Sequence, residues 1–229
     1  MLLILFAIVQ QSCRFESDEL FADETTEGYQ LYDYYIDSYG NEGIVAHIES
    51  SYHSSRYIII LSADETYAYW GPMGELVYNY DEISLSALYQ PSFGIAMLQN
   101  MKSMGIERFP AQAWCDQKNQ SEPYPSGVSW RLPSRSEFVS IFGKGNHLSD
   151  INKALRGIGG TIVDEDHFYW TCTEDIDGYV TVGGQAIGYD QANRAVLSSP
   201  RNTAFSNKDR WIKKNKYHVR AIKYIYYHD

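Results

Sequence analysis

Trp130-Arg131-Leu132-Pro133-Ser134-Arg135-Ser136-Glu137 is the stretch on which the reading of this chain turns. Pro133 biases the residue before it towards extended backbone, so Leu132 closes an extended run. Ser134 and Glu137 have the spacing of a capping box. The Ser134 hydroxyl accepts from an early helix amide, and Glu137 reaches back to the Ser134 amide. The pattern predicts a helix over 135–142 with Phe138, Ile141 and Phe142 turned inwards. Trp130 and Leu132 then plug the space between that helix and a sheet.

Working outward, residues 96–104 carry apolar side chains at helical spacing and stop at Gly105. Pro110 suits the first turn of a helix containing Ala111, Ala113, Trp114 and Cys115. A further helix is expected over 149–157, with Ile151, Ala154, Leu155 and Ile158 as its apolar stripe. Strands are expected at 44–49, 57–61 and 66–70, the last closed by Gly71-Pro72. After Gly159-Gly160 the period changes to two, with strands expected at 168–173, 179–182, 185–190 and 195–197. The longest, 217–226, should lie centrally in its sheet. This succession reads as α+β, an antiparallel sheet with two to three helices packed at one side.

The chain has 229 residues, of which 44% are hydrophobic, 15% aromatic and 20 are Tyr. That is enough apolar surface for a core and too much for disorder. A net charge of −10 excludes general nucleic-acid binding. The charge is uneven: 14–27 is acidic, whereas 201–223 is basic and contains Lys213, Lys214 and Lys216. Such a basic cluster serves either as a solvated turn that blunts a strand edge or as a contact for an anionic partner.

Three strings in fixed order carry a family resemblance. They are Trp130-Arg131-Leu132-Pro133-Ser134, Tyr169-Trp170-Thr171-Cys172-Thr173-Glu174 and Val219-Arg220-Ala221-Ile222, with Trp114-Cys115 upstream. Over about residues 40–225 the chain resembles a C-type-lectin-like module of bacterial surface proteins. The family is named for the C-terminal domain of a Legionella collagen-like adhesin, and the Fibrobacter succinogenes major paralogous domain is related to it. The resemblance implies a C-type-lectin-like fold. It also implies a binding or adhesion module without catalytic activity, whose partner is a glycan or a surface protein. Trp130, Leu132, Pro133, Tyr169, Trp170 and Arg220 are its structural motif residues. A structural subunit of a surface assembly such as a pilus is the alternative, and an enzyme on the same scaffold is a third.

Leu2 to Val9 is an apolar run too short to span a bilayer, followed by Gln10-Gln11-Ser12-Cys13. The arrangement resembles a bacterial lipoprotein signal, with Cys13 as the lipidated residue. A buried strand starting at Leu2 is the competing reading. The expected organisation is a signal at 1–12, an acidic tether at 13–28 and one domain at 29–229. The implied location is the outer membrane, facing outwards, with the lipid at Cys13 as the membrane contact.

Cys115 and Cys172 remain once Cys13 is lipidated. Export allows them to oxidise, and the implied fold makes them candidate neighbours, so a disulfide stands against two buried thiols. Arg220 sits between apolar neighbours and needs an acceptor, with Glu137 or Glu174 as candidates. The acidic runs 164–166 and 174–178 lack EF-hand spacing. The Glu-Pro-Asn or Gln-Pro-Asp triplet of calcium-dependent sugar-binding lectins is missing too, and Ser121-Glu122-Pro123-Tyr124 keeps only Glu-Pro. The six His are scattered without metal-ligand spacing, so no metal or cofactor is expected. No catalytic motif stands out. Recognition is assigned to loops on a rigid scaffold, with Tyr179, Gln185, Tyr189, Arg201 and Trp211 as ligand-binding candidates from their chemistry.

Overall fold

The computed structural model describes residues 28–49, 55–77, 91–119, 129–143, 147–174, 179–182, 185–188, 194–201 and 210–228. The expected signal, Cys13 and all but the last residue of the tether lie outside the described residues. Among the described residues, no helix is long and apolar enough to cross a membrane.

Four strands come first: β1 (Tyr34–Ile36), β2 (Glu42–Glu49), β3 (Ser55–Ser62) and β4 (Thr66–Tyr69). Among the described residues, four helices follow: α1 (Pro91–Ser103), α2 (Pro110–Gln117), α3 (Arg135–Phe142) and α4 (His147–Gly157). The remaining strands are β5 (Tyr169–Glu174), β6 (Tyr179–Val182), β7 (Gln185–Gly188), β8 (Arg194–Ser198), β9 (Arg210–Ile212), β10 (Lys216–Val219) and β11 (Ile222–His228). The architecture is α+β. β1-β2-β3-β11 form an antiparallel sheet, and β4-β10-β5-β8-β9 form a second. The second sheet is mixed, because β10 and β5 run parallel at His218 and Tyr169. β6 and β7 pair as a separate hairpin.

The predicted helix 135–142 is α3, and both bonds of its capping box form. The Glu137 amide donates to Ser134 Oγ at 3.3 Å, and the Ser134 amide donates to Glu137 Oε2 at 2.6 Å. Pro110 opens α2, where a missing amide hydrogen costs nothing. β3 reads as a continuous apolar run because both of its faces are buried. Ile58 and Ile60 enter one core cluster with Trp70, Trp130 and Trp170, whereas Ile59 and Leu61 enter another with Phe138, Ile141 and Leu155. A side-chain period of two divides neighbours between the two cores.

Two expectations are corrected. The sheet is not wholly antiparallel, and the run 217–226 is not one central strand. It breaks at Arg220-Ala221 and serves both sheets: β10 lies between β4 and β5, while β11 forms an edge beside β3. The break follows from hydrogen bonding. Ser62 binds Ala221 twice, its amide donating to the Ala221 carbonyl at 3.0 Å and its hydroxyl oxygen accepting from the Ala221 amide at 3.2 Å. Arg220 meanwhile turns its guanidinium onto the Ser62 carbonyl at 2.9 Å.

Gly94 in α1 has a packing reason. A Cβ there would lie 2.3 Å from Arg131 Nη1 and 2.6 Å from Arg131 Cζ. Only a hydrogen leaves room for that guanidinium.

Candidate functional site: a histidine and tyrosine strip beside Glu65

β4 and β10 are antiparallel, with Tyr67 opposite His218 and Tyr69 opposite Lys216. Alternation along β4 turns Ala68 inwards with Tyr217, so both contact the core, and leaves Tyr67 and Tyr69 outside at 55% and 44% exposure. The outer side chains contact one another. The Tyr67 and His218 rings meet edge to face at 5.2 Å, and Lys216 Nζ lies 5.1 Å from the Tyr69 ring centroid. His167, just before β5, stacks on His218 with centroids 3.9 Å apart and planes 13° from parallel. The strip thus runs from Tyr69 and Lys216 through Tyr67 to the two imidazoles.

Glu65, in the turn before β4, anchors the imidazole end. Its Oε2 accepts from Arg220 Nη2 at 2.7 Å and from the Tyr169 hydroxyl at 3.2 Å. Its Oε1 lies 3.1 Å from His218 Nδ1. Arg220 also donates to the carbonyls of Ser62 and Thr161, each at 2.9 Å. Burial holds His218 below the ordinary histidine range despite the attraction of Glu65. Its imidazole is therefore neutral at pH 7. Burial, then the Glu65 charge, raises the Tyr169 hydroxyl, which stays protonated and able to donate. The ligand atoms of Glu65, His167 and His218 lie within 4.8 Å of one another. The surface offers ring faces, a cation and neutral imidazole nitrogens, which suit binding by stacking and hydrogen bonding.

The structural motif residues are scaffold. Trp130, Leu132, Tyr169 and Trp170 are all at most 1% exposed, and the Pro133 carbonyl accepts from the Cys172 amide at 2.8 Å. The Arg220 acceptors differ from those expected, because Glu137 and Glu174 have cations of their own. Glu137 is held by Arg131 through two bonds, at 2.7 and 2.5 Å. Glu174 accepts from Lys213 Nζ at 2.6 Å and from the Val77 amide. Lys213 is thus no part of a solvated basic face. It is buried, donates to the Glu75 carbonyl at 2.9 Å and lies 4.5 Å from the Trp70 ring centroid.

Cys115 and Cys172 are free buried thiols in one core cluster rather than a disulfide. Burial pushes both thiols far up, and exchange chemistry needs the thiolate.

The described ligand-binding candidates are spread over the β6–β7 hairpin, β9 and the residues after β8. Tyr179 and Gln185 lie on the β6–β7 hairpin, opposite Gly188 and Val182 respectively. Trp211 lies on β9 opposite Ala195, and Tyr189 lies outside the described residues. Arg201 is exposed and committed to Glu165 at 2.5 Å and Asp166 at 2.7 Å. Sequence reasoning missed Glu65, Tyr67, His167 and His218. The alternation in 66–70 was the available signal for Tyr67 and Tyr69. Nothing local could pair Glu65 with His218, which are 153 residues apart.

No protein family, curated protein or solved structure matches this chain.

Proposed function

We propose that the chain is an exported, lipid-anchored module of C-type-lectin-like fold that binds a glycan or a surface protein at the cell surface, without catalysis. The observation that carries the binding reading is the ladder of exposed Tyr67, Tyr69 and Lys216 beside part-buried His218 on one strand pair. Tyrosine faces stack on the apolar faces of sugar rings, and the flanking imidazole and ammonium groups hydrogen-bond to their hydroxyls. Recognition at a surface also suits the packing beneath it. The cavity lined by Leu61, Phe138, Tyr169, Arg220 and Ile222 is about 10 Å³, room for one water at most.

The fold reading is supported by the three strings, which start a helix, form a buried strand and carry the crossing between sheets. Pairing of β11 with β3 brings distant parts of the chain into one sheet. The anchor reading rests on the apolar run ahead of Cys13. Glycan-array binding of the purified chain tests the proposal. Binding is expected, and the Tyr67→Ala/Tyr69→Ala double variant should abolish it. A signal unchanged in that variant would move the site elsewhere.

One observation favours the assembly reading. β1 is an edge strand, and it exposes Tyr34 at 44% and Ile36 at 51%. An apolar edge is a template for strand addition by a partner. Co-purification of an envelope protein, lost on Ile36→Lys, would support it.

A further inference from the structure

We propose that Glu65, His167 and His218 form a binding site for a divalent transition-metal ion of the zinc class. The donor set is two imidazoles and one carboxylate, which suits zinc, copper or nickel rather than calcium.

The Glu65 carboxylate is divided. Its Oε2 is occupied by Arg220 and Tyr169, which fix the plane of the group. Its Oε1 faces His218 Nδ1 across 3.1 Å. Two metal–ligand bonds of about 2.05 Å spanning that edge subtend about 98° at the ion, between the octahedral and tetrahedral angles. An ion takes the place of the proton shared by Glu65 and His218 without changing their separation, with the imidazole turning by about 40° to aim its lone pair at the ion.

His167 supplies the third ligand. Its Nδ1 is buried and has no hydrogen-bond partner among the described residues, whereas such atoms are almost always paired. Its Nε2 lies 3.8 Å from Asp164 Oδ2. A carboxylate near the remote nitrogen is the arrangement that orients metal-bound imidazoles and sets their tautomer. The three ligand atoms lie within 4.8 Å of one another, and they close onto one ion when His167 leaves its stack on His218 and turns its ring, a shift of up to about 1.5 Å. His167 is half-exposed and free to make that shift. Arg220 lies on the far oxygen of Glu65 and opposes the ion, which sets the affinity on the order of micromolar rather than nanomolar. The site does not depend on the adhesion reading.

Equilibrium dialysis of the full chain against Zn²⁺ alone, with metal analysis, tests the proposal. The wild type should hold about one equivalent more than His167→Ala at micromolar free zinc. His218→Ala should weaken the same equivalent by more than about tenfold. His147→Gln should retain it, and excess calcium should not displace it. His167→Ala is the decisive variant, because the Nδ1 it removes makes no hydrogen bond among the described residues; circular dichroism checks that the fold is kept. Equal zinc uptake by the wild type, His167→Ala and His218→Ala would overturn the site, as would no uptake by the wild type. Cobalt gives a second readout: the d–d absorption of a low-symmetry Co²⁺ complex should develop in the wild type and not in His167→Ala.

Discussion

Arg131 and Arg220 each reach a carboxylate that also accepts from a tyrosine hydroxyl, but one cluster is closed and the other open. Around Arg131, both oxygens of Glu137 are used. Oε1 takes Arg131 and Tyr224, and Oε2 takes Arg131 and the Ser134 amide. The side chains of that pair are 1% and 4% exposed. Around Arg220, Glu65 is 12% exposed and His218 is 23% exposed, and among the described residues one oxygen of Glu65 meets only an imidazole. A saturated buried network has no valence left for a ligand and serves the fold. A network with a spare oxygen at the surface keeps chemistry in reserve.

The largest expected effect lies in the closed cluster. Glu137→Ala leaves a buried guanidinium without its carboxylate and should cost about 3–5 kcal/mol in urea unfolding. The Arg131→Met/Glu137→Leu double variant should recover much of that loss, because no charge is then left unpaired. A single-variant cost below about 1 kcal/mol would erase the contrast between the clusters. In the open cluster, Glu65→Gln should cost less, about 1.5–3 kcal/mol, since Arg220 keeps two carbonyl acceptors. Gly94→Ala should cost about 1–3 kcal/mol by pressing on Arg131, a packing effect readable in the melting temperature.

A pH series separates the clusters further. Burial alone would raise Glu137, but Arg131, Tyr224 and the Ser134 amide together hold it below the ordinary carboxylate range. A carboxyl depressed in the fold contributes stability above its unfolded value of about 4.3 and loses it as pH falls through the folded value. Acid unfolding of the wild type should therefore steepen below about pH 4, and Glu137→Ala should lack that step. The smallest effect belongs to the strip. Tyr67→Ala and Tyr69→Ala should each change stability by within about 0.5 kcal/mol, while binding is lost. A large stability loss there would make the strip part of the scaffold.

Much of the fold was legible in local pattern. Ser134 and Glu137 placed α3, Pro110 placed α2, and β6 was expected at 179–182, where it lies. These signals act within one turn or one strand, so neighbouring residues suffice to read them. The strand break at Arg220 was missed, although the alternation changes phase there: Tyr217, Val219 and Ala221 carry it before the break, Ile222 and Tyr224 after it. The candidate site was less legible still. Lys213 and Lys214 are adjacent and alike in sequence, yet one is buried on Glu174 and the other is exposed.

By itself, then, the sequence determined the α+β succession, the starts of α2 and α3 and the inward faces of α3 and α4, because capping and amphipathic periodicity are local. Only the tertiary structure decided which carboxylate meets which cation, that the two cysteines stay free, and that Glu65, His167 and His218 meet. Those pairings join segments distant along the chain, and which of several chemically equivalent partners is chosen depends on how the sheets and helices pack. A charge acquires its partner from that packing, and its identity in the chain leaves the choice open.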